Sequence, residues 1–328
     1  MRDRVNEMRI LDLELRPATT EDAAFAADLL TAVYPDDPED PILMRHSWSV
    51  NELGNVIERS IVTREGRSVG MTTLRHAPWE QMPERYGRVA AELLPDLRTP
   101  ARLDALFAHL EGRSRADGTK TFVAWAWEND PEMLALLTAR GYREERRERF
   151  WECDPIANRD RLTAMAEQSR ERMRNEGIMI LTVDRDADPE KYRKIWRMTD
   201  EAEQDIPTTV PHVQTPWGMF EQWMRSPGLR EDRMWIARNG DDVVGISMLS
   251  YPPVRGVVQT DWTATARRIR GRGVARALKC ETVMQAIALG IDRVRTDNDG
   301  ENAPILHLNE QMGYRRRADM IQHLKPAG

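Results

Sequence analysis

A chain of 328 residues is long for a single hydrophobic core, and two structural units are the natural expectation. Its 41% hydrophobic and 31% charged residues are those of a globular protein, and a net charge of −6 speaks against general nucleic-acid affinity. Two cysteines make neither a disulfide framework nor a metal cluster, the start MRDRVNEMRI lacks the apolar segment of a secretory signal, and no apolar run approaches the ~20 residues that cross a bilayer. A cytoplasmic protein without metal, membrane or nucleic-acid partner is expected.

Leu11, Leu13 and Leu15 alternate with Asp12 and Glu14, the period of a half-buried strand over 11–15. Thr19 and Thr20 ahead of Glu21 and Asp22 open a helix to about Val33. Residues 35–41 form a loop rich in proline and aspartate. Strands at 60–63 and 68–74 flank a turn at Glu65 and Gly66, followed by a strand at 87–94 and a helix at 103–110. A strand at 121–127, a helix opened by Asp130 and Pro131 and closed at Gly141, and a strand at 149–153 complete the first half.

Residues 155–175 are charged with a helical period and read as a connector. A strand at 178–183, a helix from Asp188 to about Thr199, a Pro- and Thr-rich loop at 205–215 and a short helix at 217–224 follow. Strands at 234–237 and 243–249 meet at Asn239 and Gly240, and a β-branched strand covers 257–265. A long helix from Val274 stops at Gly290, a strand covers 291–295, and Asn302, Ala303 and Pro304 start a helix that Gly313 ends. The last strand covers 318–324. Both halves run in the same order and close with Gly141-Tyr142 and Gly313-Tyr314. The fold expected is α/β in two tandem copies, 1–154 and 155–328, each a twisted mixed sheet flanked by helices.

Between the strand at 257–265 and the following helix lies RIRGRGVA, from Arg268 to Ala275. Strand, glycine-bearing turn and helix N-terminus is an anion-binding geometry, because the first N–H groups of a helix point outward at the positive end of its dipole. Gly271 and Gly273 have no Cβ to keep a phosphate from the backbone, and Arg270 and Arg272 add charge. On these eight residues alone, an arginine-rich surface turn is an equally good account.

Here the chain resembles the GNAT superfamily of N-acetyltransferases. The family's acetyl-CoA signature, Arg or Gln, two residues, Gly, one residue, Gly or Ala, is met by Arg268, Gly271 and Gly273. Thr296 to Tyr314, TDNDGENAPILHLNEQMGY, resembles its asparagine loop, helix and terminal Gly-aromatic pair. The tandem arrangement is similar to that of mycothiol synthase and other two-GNAT proteins. The resemblance implies acetyl-CoA or another short acyl-CoA as co-substrate and a primary amine as acceptor, with monomer or homodimer left open. It implies that Thr263, Ala264 and Thr265 meet the pantetheine arm, that Arg270, Gly271, Arg272, Gly273, Val274 and Ala275 meet the pyrophosphate, and that Asn302 touches the cofactor. The first half looks like a degenerate copy, with Thr99 and Ala101 where the paired glycines belong and Pro100 between them. Its expected role is to complete the substrate cleft or to hold the fold.

Acyl transfer to an amine needs a base and a proton for the leaving thiolate. Gln259 and Asp261 share a strand face by the period of two, and Asp261 beside Trp262 is the candidate base if buried, or a solvated strand-end carboxylate if not. Asp200, Glu201, Glu203 and Asp205 form an acidic group where the family gates its substrate; Glu201 and Asp205, with Gln259, are candidate substrate contacts, and a solvated helix end is the plain alternative. The family's usual tyrosine acid is replaced by Asn309, which has no titrating proton. It is left as a contact to the sulfur, and the acid is unassigned. His212 stands alone in the loop expected to meet substrate, where it could act as a base, and a structural or solvated role is the plainer account. An acyl-CoA sensor without turnover is the chief rival reading, and a basic nucleic-acid patch the remoter one.

Overall fold

The computed structural model describes residues 8–328. The first half supplies β1 (Met8–Ile10), β2 (Leu13–Pro17), α1 (Ala23–Val33), α2 (Pro41–Asn51), β3 (Val56–Arg64), β4 (Arg67–His76), β5 (Tyr86–Leu93), α3 (Pro100–Ala116), β6 (Thr121–Trp127), α4 (Pro131–Ala139) and β7 (Arg143–Cys153). The second supplies α5 (Arg159–Asn175), β8 (Met179–Thr182), α6 (Lys191–Glu203), α7 (Trp217–Trp223), β9 (Met234–Asn239), β10 (Asp242–Ser250), β11 (Val258–Thr265), α8 (Val274–Ala288), β12 (Val294–Asp299), α9 (Ala303–Met312), β13 (Arg315–Arg316) and β14 (Met320–Pro326). The α/β class and the repeated element order are as the sequence implies.

Four local expectations change. Leu11 has φ +57° and turns the chain between β1 and β2, so the alternating leucines are not one strand. The helix α2 was not expected; Asp40 caps it, accepting from Ile42 N at 2.8 Å and Leu43 N at 3.0 Å, with Pro41 in its first turn. The strand read at 291–295 begins three residues later, at Val294. The connector is more than a tether: α5 packs along α8, placing Leu162 and Ala166 in one core with Cys280 and Val283, and Arg170 Nε donates to Glu281 at 2.6 Å.

All the strands join one sheet in the order β1-β2-β3-β4-β5-β6-β14-β7-β12-β11-β10-β9-β8, with β13 also on β7. The halves exchange their final strands. β7 pairs with β12, β13 and β14, all from the second half, while β14 pairs with β6 of the first. The cores follow: Trp151 and Cys153 pack among second-half residues, and Ala327 packs among first-half ones. A second tie is Asp40, whose free carboxylate oxygen accepts from Val254 N and Arg255 N at 2.6 and 3.0 Å. If 1–154 and 155–328 are produced as separate chains, neither should give a cooperative melt alone, because β6 and β12 each lose a full strand of hydrogen bonds; mixing them should restore one. A sharp melt of either half alone would contradict this.

Candidate active site

The site is a wedge in the sheet. β11 pairs with β12 only at Val258 with Val294 and Gln259 with Arg295. Beyond them β11 stays on β10 to Thr265, while β12 stays on β7 to Asp299. The strands therefore part, and the outward N–H and C=O groups of β11 between Thr260 and Thr265 have no strand opposite. The cause is visible in the register. Leu249 opposes Thr260 and Met248 opposes Trp262, so Asp261 is one residue too many and bulges. The bulge also breaks the period of two on which Gln259 and Asp261 were expected to share a face.

A cleft of about 1070 Å³ fills the wedge. Thr263, Ala264 and Thr265 line it, as do Arg270, Gly271, Gly273, Val274, Ala275 and Asn302. Gly271 and Gly273 have φ of +76° and +88°, a region L side chains rarely adopt. A Cβ on Gly273 would stand 3.1 Å from the Arg172 guanidinium, and Arg172 Nη2 donates to Gly271 O at 3.1 Å. Arg172 and Arg276 also line the cleft, and Arg276 Nε is buried without a partner. Neither was anticipated. Arg276 sits in the first turn of a helix already located, so the sequence could have offered it; Arg172 lies on the connector and depends on tertiary packing.

Asp261 is brought into the cleft. Its Oδ2 is buried with no partner, and burial lifts the carboxyl to about 6; the Trp223 indole opposes this and the Asp297 charge adds to it. Three further groups on the cleft wall are displaced from their ordinary pKa values, none expected. Lys279 on α8 is 2% exposed, its Nζ has no hydrogen-bond partner, and burial lowers it to about 8 against the pull of Asp297. Asp297 is pushed up by burial although Gln259 Nε2 donates to it at 3.1 Å. Glu148, on the exchanged strand β7, is raised to about 7 by burial and by the Asp297 charge.

Other expected contacts lie elsewhere. Arg272 turns back to pair with Glu176 and does not line the cleft. Asn309 is fully buried, donates from Nδ2 to Asn298 Oδ1 at 2.7 Å, and is screened from the cleft. Glu201 accepts from Arg267 N at 3.3 Å and Gln259 is tied to Asp297, both off the cleft wall. Asp205 does line it, but its carboxylate is occupied by Arg267 and Arg270, each at 2.6 Å, which hold it down at about 2. It fixes the arginines of the turn. His212 is not alone: its Nε2 is 3.2 Å from Asp200 and its Nδ1 3.6 Å from Glu203.

The first half has the same wedge, since β5 and β6 pair only from Tyr86 to Arg88. Here it is narrowed. Tyr34 OH donates to Glu92 at 2.6 Å, and Arg98 binds Glu92 at 3.2 Å and Asp130 beside it. Thr99 caps α3 with its own side chain, and Pro100 starts the helix.

The site is thus an open parallel-strand wedge above a glycine-started helix. Residues 193–314 match the Acetyltransferase (GNAT) family. Residues 193–314 are thus similar to a GNAT domain, and the whole chain has the fold of tandem GNAT proteins. A tandem GNAT protein from the clavulanic acid biosynthesis pathway is similar at 17% identity and a TM-score of 0.73, over 96% of this chain and 99% of that one. A GCN5-related N-acetyltransferase from Sphaerobacter thermophilus is similar at 18% identity and 0.63, over 98% and 97%. A GNAT-family acetyltransferase from Colwellia psychrerythraea is similar at 11% identity and 0.59, over 94% and 98%. No protein of curated function matches the sequence. Among the described residues, no helix is long and apolar enough to cross a membrane.

Proposed function

We propose that the second half, with walls lent by β6 and β7, holds acetyl-CoA or another short acyl-CoA in the wedge and passes its acyl group directly to a primary amine. The observation that carries this is one cleft joining an unpaired strand edge, a glycine-started helix and an unpartnered buried carboxylate. The residues fit an anion on an amide-bearing arm: Gly271 and Gly273 put no Cβ in the turn, Arg172, Arg270 and Arg276 line the cleft beside them, and the β11 backbone offers hydrogen bonds along the wedge.

When bound, the thioester supplies an activated acyl carbon. The chain's own groups do the rest. Asp261, as the carboxylate, takes a proton from the amine. Lys279, as the ammonium, holds a proton at the cleft floor where the departing thiolate needs charge and hydrogen. It fills the role for which Asn309 is unsuited. The first half binds no acyl-CoA on this reading, because Arg98, Glu92 and Tyr34 narrow its cavity and Thr99 and Pro100 stand where the glycine turn would be. Lys279→Met, nearly isosteric, should lower kcat by about 10²-fold while changing the KM for acetyl-CoA by less than about threefold, and should abolish a falling pH limb near 8. An unchanged kcat and limb would remove Lys279 from the chemistry.

The test is thiol release from acetyl-CoA in the presence of an amine panel, with acetylated product identified by mass. The second reading, an acyl-CoA sensor, is favoured by the burial of Asn309 where the family keeps a phenol. It expects acetyl-CoA to raise the Tm without thiol release from any amine.

A further inference from the structure

Behind the acyl cleft lies a second cavity of about 400 Å³, and Asp261 and Trp262 line both. The bulge in β11 makes this possible, because the extra residue lets adjacent side chains form a partition between the two spaces. The far walls are aromatic. Trp223 meets Trp262 edge-on at 6.3 Å between centroids, Phe220 meets Trp223 at 5.9 Å, and Trp196 closes the side. The remaining wall is lent by the first half, where α2 contributes Leu43, His46, Ser47 and Val50. Its charge has one sign. Asp200, Glu203 and Asp261 line the cavity, and among the described residues no lysine or arginine does. Burial pushes the Glu203 carboxyl up, with His212 opposing and the Asp200 charge adding. Trp262 Nε1 is buried with no partner.

Resting on the acyl-transfer reading, we infer that this cavity is the acceptor site and that it takes an arylalkylamine: a primary amine, cationic in water, on a flat apolar body. Indole faces attract a cation and stack on a ring, and acidic walls exclude an acceptor that carries its own carboxylate. The volume suits a body of one or two rings. With the ring among Phe220, Trp196 and Trp223, the amine lies against Asp261 and faces the cleft. The ammonium loses one proton to the Asp261 carboxylate, and from there to solvent. The nitrogen then bonds to the acyl carbon as the carbon–sulfur bond breaks. Lys279 gives its proton to the thiolate and takes up the second nitrogen proton, leaving the amide and the free thiol.

The inference separates from the reading beneath it when binding and turnover are measured apart, on the full chain. 2-Phenylethylamine is titrated calorimetrically into the protein saturated with CoA, and its acetylation is followed beside L-phenylalanine and n-butylamine. The expected result is a KM for 2-phenylethylamine about tenfold or more below those of the other two. Ser47→Trp changes an exposed position on α2 and projects into the cavity. It should raise that KM about tenfold and weaken the calorimetric binding equally, with the KM for acetyl-CoA unchanged. Equal use of the three amines, or indifference to Ser47→Trp, overturns the arylalkylamine assignment while leaving acyl transfer intact. Binding that Ser47→Trp weakens, with no thiol release, keeps the assignment and overturns the transfer.

Discussion

Asp261→Asn is expected to slow acyl transfer by about 10²–10⁴-fold at pH 8 and to leave acetyl-CoA affinity near that of the parent. The amide keeps the size and the bulge but cannot take a proton. The pH dependence gives the sharper reading. A base works only when deprotonated, and burial lifts this carboxyl to about 6, so kcat/KM should rise with pH through about 6 and hold until the falling limb of Lys279 near 8. The variant should lose the rising limb. Glu148 is the internal control, because its raised value of about 7 would place the limb a unit higher. A limb near 7 that survives Asp261→Asn, and disappears in Glu148→Gln, would move the base to the exchanged strand.

Gly273→Asp should weaken acetyl-CoA binding by about 10²-fold or more, measured by titration at low salt. Gly273 stands at the N-cap of α8 with φ +88°, so any side chain there costs strain of order 1–3 kcal/mol. Aspartate tolerates that backbone better than most residues. Its effect is therefore largely charge: it sets a carboxylate where the free N–H groups meet an anion, and it pairs with Arg172, whose guanidinium lies 3.1 Å from the new Cβ. Gly273→Ala carries the strain without the charge and should lose far less affinity. The gap between the two should narrow as salt screens the repulsion. Binding by Gly273→Asp equal to the parent would remove the glycine turn from the anion site.

The sequence carries most of the frame because its determinants are local. Gly271, Gly273 and Asn302 announce themselves through turn and cap chemistry, and the structure sets them on one cleft. What the sequence hides depends on partners distant along the chain. Nothing in QTDWT marks Asp261 as an extra residue; only its alignment against Leu249 and Met248 does. Lys279 reads as an ordinary helix lysine until β12 and Tyr314 close over it, its Nζ 5.3 Å from that ring. Glu148 reaches the cleft because β7 has crossed to the other half. Counting positions also misled at Asn309, where burial beside Asn298 decides the side chain's place.

The exchanged strands set an order of events during synthesis. β6 ends at Trp127, and its neighbour β14 begins at Met320, about 190 residues later. At the ~5–20 residues per second of translation, the edge of β6 waits roughly 10–40 s for its partner to be made. The first half thus leaves the ribosome with an unfinished sheet, and its edge is open to any strand that passes, including the β14 of a neighbouring nascent chain. Fidelity of assembly rests on how that interval is covered, and slower translation of the second half lengthens the exposure.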